Sequence, residues 1–326
     1  MKKIVSFFGD DNAIFRELNQ EAEKYAASLG LEYKWVVEKP YDQASVIAEL
    51  KKADAGIIDI EPYGETVFKE IHQNCKILTR FGVGYDKVDL KAASQYHIAI
   101  ARTTGANTLG VAEMALTLML SAHRKLKQNM NLVSEGNWEK DVTNEISDST
   151  IGIVGYGAIG QTVAKLLQGF SCKLIAYDPY PNKEALKQNQ VELVSLEELF
   201  KRSDSITVHV PYCTETHNLI DNRLLSLMKP TAVIVNTSRG NIIKEADLYT
   251  CLKEKRICGA ALDVFATEPL PTSSSLLELD NIILTPHVSS QTRESLWRIY
   301  KMAIDITSDF YLGKDPGTIL NPDYLV

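Results

Sequence analysis

Short apolar runs alternate with helical stretches along the chain, which is the pattern of a mostly parallel sheet covered by helices. The apolar runs carry little polar alternation, as expected of strands that are buried on both faces. In the first part of the chain they predict strands over 3–8, 33–37, 55–60, 76–79 and 98–101. In the second part they predict strands over 150–154, 173–177, 205–210, 232–236, 259–264 and 281–285. The sequence therefore predicts an α/β protein with two doubly wound parallel sheets.

Helical periodicity fills the intervals between these runs and links the two halves of the chain. Helices are predicted over 13–28, 43–52, 64–72, 87–95 and 161–169. A long apolar helix is predicted over 108–132, with Asn107 or Thr108 as its N-cap, and a polar, exposed connection follows over 134–149. Another long helix is predicted over 291–312. Because this last helix follows a complete sheet, we expect it to return to the first domain and make that domain discontinuous in sequence.

Composition narrows the class of protein. The 326 residues fit two domains of about 150 residues each. The net charge of -7 argues against a nucleic-acid binder and against a polybasic membrane anchor. No apolar run reaches the roughly 20 residues of a membrane span, so we expect no transmembrane helix. Asp10 and Asp11 interrupt the N-terminal apolar stretch, so we expect no secretory signal. The cysteines are scattered without metal-site spacing, so we expect a cytoplasmic protein with reduced thiols and no metal.

The sharpest local signal is a glycine-rich turn, Gly155, Gly157 and Gly160, between a predicted strand and a predicted helix. The first glycine permits a tight turn, the second lets the backbone approach a pyrophosphate, and the third allows close packing of helix and strand. Asp178, 18 residues after Gly160, can bind the adenosine ribose hydroxyls and would repel a 2′-phosphate. These features favour NAD over NADP. The alternative is a glycine turn in an α/β domain that binds no nucleotide.

Three polar residues follow three strands predicted at one edge of the second sheet. Arg239, Glu268 and His287 come after the strands 232–236, 259–264 and 281–285. Ligands of doubly wound sheets bind outside the carboxyl ends of the strands, so these positions are candidates for a site. Taken singly, the residues could be a surface cation, a solvated loop charge and a helix N-terminal residue. Together, and after a dinucleotide fingerprint, they favour a reaction centre.

The chemistry of this set suits the interconversion of an alcohol and a ketone. Hydride transfer to a ketone needs a proton donor for the developing alkoxide, and a histidine, with an ordinary pKa of about 6.5, can donate at neutral pH. A carboxylate against the other ring nitrogen orients the imidazole and favours its charged form. Arginine offers a planar fork to a substrate carboxylate and can polarise the neighbouring carbonyl. His209 falls on a predicted strand, so we interpret it as structural.

With these motifs together, the sequence resembles the D-isomer-specific 2-hydroxyacid dehydrogenases, a family that includes D-lactate, glycerate and D-3-phosphoglycerate dehydrogenases. The resemblance covers nearly the whole chain. Besides the glycine-rich turn it is carried by residues 80–86 (RFGVGYD), 107–113 (NTLGVAE), 209–211 (HVP), 236–240 (NTSRG), 263–269 (DVFATEP) and 285–290 (TPHVSS). It implies a Rossmann-type NAD domain, residues 104–287, inserted in a flavodoxin-like substrate domain, residues 1–103 plus 288–326. It also implies a homodimer built by the helix near 108–132 and the loop after it.

The resemblance further implies roles for individual residues in the NAD-dependent interconversion of a 2-oxo acid and a D-2-hydroxy acid. Arg239, Glu268 and His287 would be the catalytic set, with His287 as the acid/base. The backbone around Val83 and Gly84 would hold the substrate carboxylate, with Arg239 and His287 also contacting the substrate. The cofactor-binding residues would be Val83, Thr108, Gly155, Gly157, Ala158, Ile159, Gly160, Asp178, Val210, Pro211, Thr237, Ser238 and Asp263.

Asp59 bears on the identity of the substrate. Phosphoglycerate-type relatives tend to place a basic residue in the loop after the third strand, and an ungapped alignment back from Arg80 places Asp59 there. A further negative charge beside a substrate phosphate would oppose binding. We therefore expect a non-phosphorylated 2-oxo acid, with 3-phosphoglycerate dehydrogenase as the alternative.

Two other functions stay open within the resemblance. An NAD-sensing binding protein, like the family's transcriptional corepressors, keeps the same motifs. A formate-dehydrogenase-like activity is the other, although those relatives pair their histidine with glutamine where this chain has Glu268. The segment Thr103-Thr104-Gly105 departs from the family's more usual Asn-x-Pro arrangement, so we expect the hinge between the domains to differ in detail.

Overall fold

The computed structural model describes residues 1–38 and 40–325, which form two compact units. Unit 1 comprises Met1–Asn107 and Thr292–Val326, and unit 2 comprises Thr108–Gln291. The sequence analysis placed the two boundaries at 103/104 and 287/288. Unit 2 is therefore inserted in the sequence of unit 1.

Unit 1 is built on a parallel sheet with the strand order β2-β1-β3-β4-β5. This is the order of a flavodoxin-like doubly wound sheet, and it reverses between β1 and β3. The strands are β1 (Lys2–Ser6), β2 (Leu31–Trp35), β3 (Ala55–Ile58), β4 (Ile77–Arg80) and β5 (Ala99–Arg102). The connecting helices are α1 (Ala13–Ser28), α2 (Gln43–Leu50), α3 (Glu65–Ile71) and α4 (Leu90–Gln95).

Unit 2 is built on a parallel sheet with the strand order β12-β11-β10-β9-β6-β7-β8, a Rossmann-type order that reverses between β6 and β9. The strands are β6 (Thr150–Val154), β7 (Lys173–Tyr177), β8 (Val191–Leu193), β9 (Ser205–Val208), β10 (Val233–Asn236), β11 (Gly259–Leu262) and β12 (Ile282–Leu284). The helices are α5 (Thr108–His123), α6 (Leu126–Ser134), α7 (Ala158–Leu167), α8 (Lys183–Gln188), α9 (Leu196–Arg202), α10 (Asn222–Leu225) and α11 (Glu245–Lys253).

The terminal helix α12 (Arg293–Tyr311) returns to unit 1, as the sequence predicts. The hydroxyl of Tyr300 donates a hydrogen bond to the carbonyl of Phe8 at 3.0 Å and accepts one from Nδ2 of Asn19 at 3.1 Å. At the start of the helix, Arg293 forms ion pairs of 2.6 Å with both Glu17 and Glu21 on α1. The helix thus covers the face of the sheet that α1 also covers, and it completes this side of the unit 1 core.

The strands near the candidate site are buried on both faces. Every residue of β3, β9, β10 and β11 is buried, which accounts for the missing polar alternation in the sequence. In unit 1, Ile57 of β3 packs in the α1 and α12 layer while Ile58 packs in the layer of α2, α3 and α4. Such strands are rigid supports, so the residues that follow their carboxyl ends are held in fixed positions.

The structure corrects one predicted helix and adds a strand that was not predicted. The single helix predicted over 108–132 is wrong, because α5 ends at His123 and Lys125 takes a left-handed φ of 47° before α6 begins. Side chains of α6 contact another part of unit 2, and Gln128 donates to the carbonyl of Asp280 at 2.7 Å. The strand β8 was not predicted, because it is a short edge strand with a polar residue, Glu192, at its centre.

The described residues, 1–38 and 40–325, include no helix that is both long enough and apolar enough to cross a bilayer. The five cysteines are free thiols. Within the same ranges, no group of three or more His, Cys, Asp or Glu side chains is arranged to hold a metal ion.

Candidate dinucleotide and active site

The glycine-rich turn follows β6 at the point where the order of the unit 2 sheet reverses. Gly155 has φ 94°, and a Cβ there would lie 2.7 Å from backbone atoms of His209 and Val210. A Cβ on Gly160 would lie 2.3 Å from the carbonyl oxygen of Gly155. These two positions therefore require glycine for close backbone packing. A Cβ on Gly157, in contrast, would meet no atom within 4 Å, so this residue faces open space.

The N-terminus of α7 opens directly from this turn. Gly157 is its N-cap and provides no side-chain hydrogen bond, so the first N–H groups of the helix, at Ala158 and Ile159, have no side-chain cap. A helix N-terminus with uncapped N–H groups attracts anions, because the helix dipole and the N–H groups both favour negative charge. Open space over Gly157 and an uncapped helix N-terminus fit the pyrophosphate of a dinucleotide.

Asp178 follows β7, the strand next to β6, and its carboxylate is tied to the glycine-rich turn. One oxygen accepts the N–H of Tyr156 at 2.7 Å, and the other accepts the N–H of Tyr180 at 2.8 Å. Each carboxylate oxygen has a further lone pair, so both can still accept a hydroxyl hydrogen bond. The two backbone contacts hold the carboxylate beside the turn, where the ribose of a bound dinucleotide would need acceptors.

The segments after β9 and β10 carry the other predicted cofactor residues of this sheet edge. Ser238 donates from its hydroxyl to the carbonyl of Val208 at 2.6 Å, and this bond ties the two segments together. Val210 and Thr237 are buried, whereas Pro211 is exposed. Among residues 1–38 and 40–325, the hydroxyl of Thr237 has no hydrogen-bond partner. A buried hydroxyl without a partner is costly unless a ligand supplies one, which again fits a bound cofactor.

His287 and Glu268 form a pair at the carboxyl ends of β12 and β11. Nδ1 of His287 lies 2.8 Å from Oε2 of Glu268, and Oε1 of Glu268 accepts the N–H of Phe265 at 3.0 Å. The side chains are 36% and 27% exposed, so the pair is sheltered but accessible. Burial raises the pKa of the Glu268 carboxyl, but the hydrogen bond and charge of His287, the Phe265 N–H and the charge of Arg239 together lower it below its usual value.

Arg239 lies on the third of these neighbouring segments, just after β10. Asn236, the last residue of that strand, donates from Nδ2 to the carbonyl of Arg239 at 2.9 Å and fixes its backbone. The guanidinium donates to the carbonyl of Ser238 at 2.8 Å. A Cβ on Gly240 would lie 1.9 Å from the backbone of Phe265, so glycine is needed for the two segments to pack directly. This contact brings the Arg239 segment against the one that leads to Glu268.

Asp263 supports the loop that carries His287, a function that the sequence analysis missed. Its buried carboxylate accepts hydrogen bonds from the hydroxyl of Thr285 at 2.5 Å and the N–H of Val288 at 2.9 Å, and from both the N–H and the hydroxyl of Ser289 at 2.8 and 2.5 Å. The N–H of His287 donates to the carbonyl of Asp263 at 2.8 Å, with the backbone of His287 at φ 53°. The Thr and Ser residues flanking the histidine in the sequence were the available signal.

The two remaining predicted contacts near the first sheet are Val83 and Gly84, which follow β4 in unit 1. Both are partly exposed, and they come directly after Gly82, whose φ is 120°. Thr103 is fully buried, and its hydroxyl accepts the N–H of Gly82 at 2.9 Å. Thr103 therefore fixes the turn that presents the amides of Val83 and Gly84. Thr108, another predicted cofactor residue, is the first residue of α5 in unit 2 and is partly exposed.

His209 is not available as an acid or base. Nδ1 of its ring is buried, and burial lowers the pKa of the ring to about 3. Nε2 lies 2.9 Å from the hydroxyl of Thr207 on β9, the strand that His209 directly follows, and the backbone of His209 packs on Gly155. Its contacts are those of a core residue beneath the glycine-rich turn.

Taken together, the Rossmann-type sheet and the dinucleotide-type turn define an α/β protein with the features of a dinucleotide-binding domain, and the paired histidine and carboxylate lie at the carboxyl ends of the same sheet. Residues 116–289 match the sequence profile of the family described as D-isomer specific 2-hydroxyacid dehydrogenase, NAD binding domain. The chain is 34% identical over 296 residues to a glyoxylate reductase of Korarchaeum cryptofilum, with 89% of each chain covered. The protein belongs to the D-isomer specific 2-hydroxyacid dehydrogenase family.

Two further similarities define the extent of the match. A D-3-phosphoglycerate dehydrogenase of Archaeoglobus fulgidus is 38% identical over 280 residues, which cover 85% of this chain but 53% of that protein. The chain thus spans about half the length of this relative. The solved structure of a D-2-hydroxyisocaproate dehydrogenase superposes with a TM-score of 0.86 at 27% identity, covering 98% of this chain and 99% of that one. The two-sheet fold is therefore that of the family.

Proposed function

We propose that the protein is an NAD-dependent oxidoreductase that interconverts a 2-oxo acid and a D-2-hydroxy acid. The observation that carries this proposal is the contact of 2.8 Å between Nδ1 of His287 and Oε2 of Glu268. The pair stands at the carboxyl ends of two adjacent strands, and Arg239 follows the next strand of the same sheet. A sheltered imidazole held by a carboxylate, at the same edge of the sheet as a dinucleotide-type turn, is the arrangement that carbonyl reduction requires.

The residues act as follows in the direction of reduction. The ionised carboxylate of Glu268 accepts a hydrogen bond from Nδ1, so Nε2 of His287 is the atom that donates a proton to the carbonyl oxygen. The same carboxylate stabilises the charged ring before the transfer. Arg239 attracts the substrate carboxylate and polarises the adjacent carbonyl. NADH supplies the hydride when it is bound, with the uncapped N–H groups of α7 on its pyrophosphate and Asp178 on its adenosine ribose.

The cofactor in this proposal is NADH in preference to NADPH. Both oxygens of Asp178 are fixed by backbone N–H groups beside the turn, so the carboxylate keeps a defined position. A negative charge there accepts ribose hydroxyls and repels a 2′-phosphate. Thr237, with its buried and unpartnered hydroxyl, is a further candidate contact.

The substrate in this proposal is not phosphorylated, and its carboxylate binds the amides of Val83 and Gly84. Asp59 follows β3, and its carboxylate lies 3.5 Å from the guanidinium of Arg80 on the adjacent strand β4. Both side chains are nearly buried, so Arg80 is committed to an internal ion pair. A phosphate at this edge of the sheet would have to compete with the carboxylate of Asp59.

Steady-state assays test the reaction class. Loss of NADH absorbance is followed with glyoxylate, hydroxypyruvate, pyruvate and 3-phosphohydroxypyruvate, for the wild type and for His287→Ala. We expect turnover of the non-phosphorylated acids, reduced by about 100-fold or more in the variant, which is the contribution expected of a positioned acid. Full activity of His287→Ala would disprove the assigned acid, and preference for the phosphorylated acid would establish the phosphoglycerate alternative. NADH binding without any turnover would favour a binding protein.

The proposed assembly is a homodimer formed through α6. Three side chains at helical spacing, Leu126, Met130 and Val133, are 47%, 61% and 61% exposed. No residue of α6 is buried, and Trp138 in the segment after it is 80% exposed. An amphipathic helix whose apolar side lies in solvent is typical of a surface that a partner covers. A second copy of the chain, presenting the same surface, is the partner proposed here.

A further inference from the structure

Arg102 is the last residue of β5, beside the turn proposed to hold the substrate carboxylate. In the parallel register of β4 and β5, Arg102 pairs with Arg80, the residue that leads into that turn. The residue after it, Thr103, hydrogen-bonds to Gly82 within the turn. The backbone of Arg102 is therefore fixed against the Val83–Gly84 segment by contacts that lie wholly within unit 1.

The guanidinium of Arg102 has an unusual environment. It lies over the ring of Tyr85, 5.3 Å from the ring centroid, and Tyr85 is the residue directly after Gly84. Over residues 1–38 and 40–325, this guanidinium forms neither a hydrogen bond nor an ion pair, although it is partly buried. Its register neighbour Arg80, in contrast, has the carboxylate of Asp59 at 3.5 Å. Arg102 thus presents all its N–H donors to a ligand.

We propose that Arg102 binds a second carboxylate, at the end of the substrate remote from its 2-oxo acid group. This assignment rests on the proposed function and narrows it to 2-oxo dicarboxylic acids. The planar fork of a guanidinium matches a carboxylate in two parallel hydrogen bonds, and stacking on Tyr85 limits its rotation. The amides of Val83 and Gly84 are proposed to bind the first carboxylate, and Tyr85, the next residue, holds the guanidinium beside that turn.

The charge of the neighbouring groups favours a carboxylate over a phosphate. Arg102 brings one positive charge, which matches one carboxylate, whereas a phosphate carries nearly two negative charges at neutral pH. The carboxylate of Asp59 forms an ion pair with Arg80, so Arg80 does not supply a second positive charge for a doubly charged group. Arg102 is therefore a specificity-determining residue for the length and charge of the substrate.

Substrates matched in chain length test this assignment. The kcat/KM of NADH-dependent reduction is measured for oxaloacetate against 2-oxobutanoate and for 2-oxoglutarate against 2-oxopentanoate. In the wild type we expect at least one diacid to exceed its monoacid. In Arg102→Gln we expect that advantage to fall by about 10- to 100-fold, the range of a charge-assisted hydrogen bond, while the monoacids change by less than about twofold. Arg102→Lys should retain part of the advantage, because it keeps the charge and loses the fork.

The control is Lys91→Gln, which removes the same charge from an exposed position on α4 and should leave both ratios unchanged. A wild type that prefers the monoacids, or an equal loss for both acids in Arg102→Gln, would overturn the assignment.

A binding measurement, which needs no turnover, distinguishes failure of the Arg102 assignment from failure of the proposed function. In the presence of NAD, glutarate should raise the Tm of the wild type more than pentanoate does, and Arg102→Gln should abolish the difference. If no 2-oxo acid is reduced but this difference in Tm is seen, the proposed reaction is wrong and the assignment of Arg102 as a carboxylate-binding residue is supported.

Discussion

Nδ1 of His287 lies 2.8 Å from Oε2 of Glu268, and this contact determines which ring nitrogen carries the hydrogen. The pKa of Glu268 is lowered, so at neutral pH the carboxylate is ionised and can only accept a hydrogen bond. Nδ1 must therefore be the donor, which leaves Nε2 as the reacting nitrogen. The second oxygen of Glu268 accepts the N–H of Phe265 at 3.0 Å, so the carboxylate cannot rotate away without losing that bond.

Glu268→Gln should shift the pH profile of reduction. A neutral amide does not stabilise the charged ring, so kcat/KM at neutral pH should fall by about tenfold, equivalent to roughly 1.4 kcal/mol. As the pH falls through the lowered pKa of Glu268, the wild type loses the same charge, so the two enzymes should converge in acid. The measurement is kcat/KM against pH, with Glu278→Gln as an exposed control. Superimposable profiles for Glu268→Gln and the wild type would show that the carboxylate of Glu268 does not affect proton donation by His287.

The positions of the candidate residues could largely be predicted from the sequence, because the carboxyl end of a buried strand can be located from its apolar run. Arg239, Glu268 and His287 each follow an apolar run, and the runs lie side by side as β10, β11 and β12. The hydrogen bonds that hold the loop of His287 in place could not be predicted. Asp263 was assigned to the cofactor, yet its carboxylate accepts hydrogen bonds from Thr285, Val288 and Ser289. Which donors a carboxylate finds depends on the path of a loop between strands, and no periodic pattern encodes that path.

The glycines of the turn should respond differently to the same substitution. Gly160→Ala places a Cβ 2.3 Å from the carbonyl oxygen of Gly155, so it should lower the stability of the free protein by about 1–3 kcal/mol. Gly157→Ala meets no atom within 4 Å, so its stability should stay within about 0.5 kcal/mol, while NADH binding weakens at least tenfold. Urea unfolding and NADH fluorescence titration measure the two effects. Equal stability of the two variants would contradict the packing described here.

Asp178→Asn should change the choice of cofactor. The substitution keeps one acceptor for the backbone N–H groups of Tyr156 and Tyr180 but removes the charge that would repel a 2′-phosphate. We expect the ratio of kcat/KM for NADH over NADPH to fall by about 10- to 100-fold, the equivalent of roughly 1.4–2.7 kcal/mol. Glu184→Gln, an exposed carboxylate on α8, is the control for net charge. If the wild type uses both cofactors equally, Asp178 does not select between them.

The fold followed from local patterns for the fully buried strands and for the terminal helix. The terminal helix, predicted over 291–312, is α12 (Arg293–Tyr311), and its apolar side packs on unit 1. The prediction was wrong at Lys125, because a left-handed residue inside a helical pattern is set by tertiary contacts. Lys127 and Gln128 donate to carbonyls of the segment 279–282, and these bonds compete with continuation of α5. Such long-range contacts leave no trace in the periodicity of residues 108–132.

Thr103 should act on substrate binding through the turn that it fixes. Thr103→Val leaves the N–H of Gly82 without its acceptor, so the amides of Val83 and Gly84 lose their fixed position. We expect KM for the 2-oxo acid to rise by about tenfold, with kcat and the KM for NADH little changed. Thr103→Ser keeps the hydroxyl and should restore KM. A loss confined to kcat, or no rescue by serine, would argue that the hydroxyl does not position the turn.

The exposed side of α6 should control the oligomeric state. Met130 and Val133 are both 61% exposed and, with Leu126, form an apolar surface on one side of the helix. Light scattering after gel filtration should give the mass of a dimer for the wild type. A double variant, Met130→Asp with Val133→Asp, should give a monomer, because burying two carboxylates in an apolar contact costs several kcal/mol. Leu312→Asp, at a residue 66% exposed after the end of α12, is the matched control and should remain a dimer. A monomeric wild type, or a double variant that stays dimeric, would show that α6 is not the contact between copies.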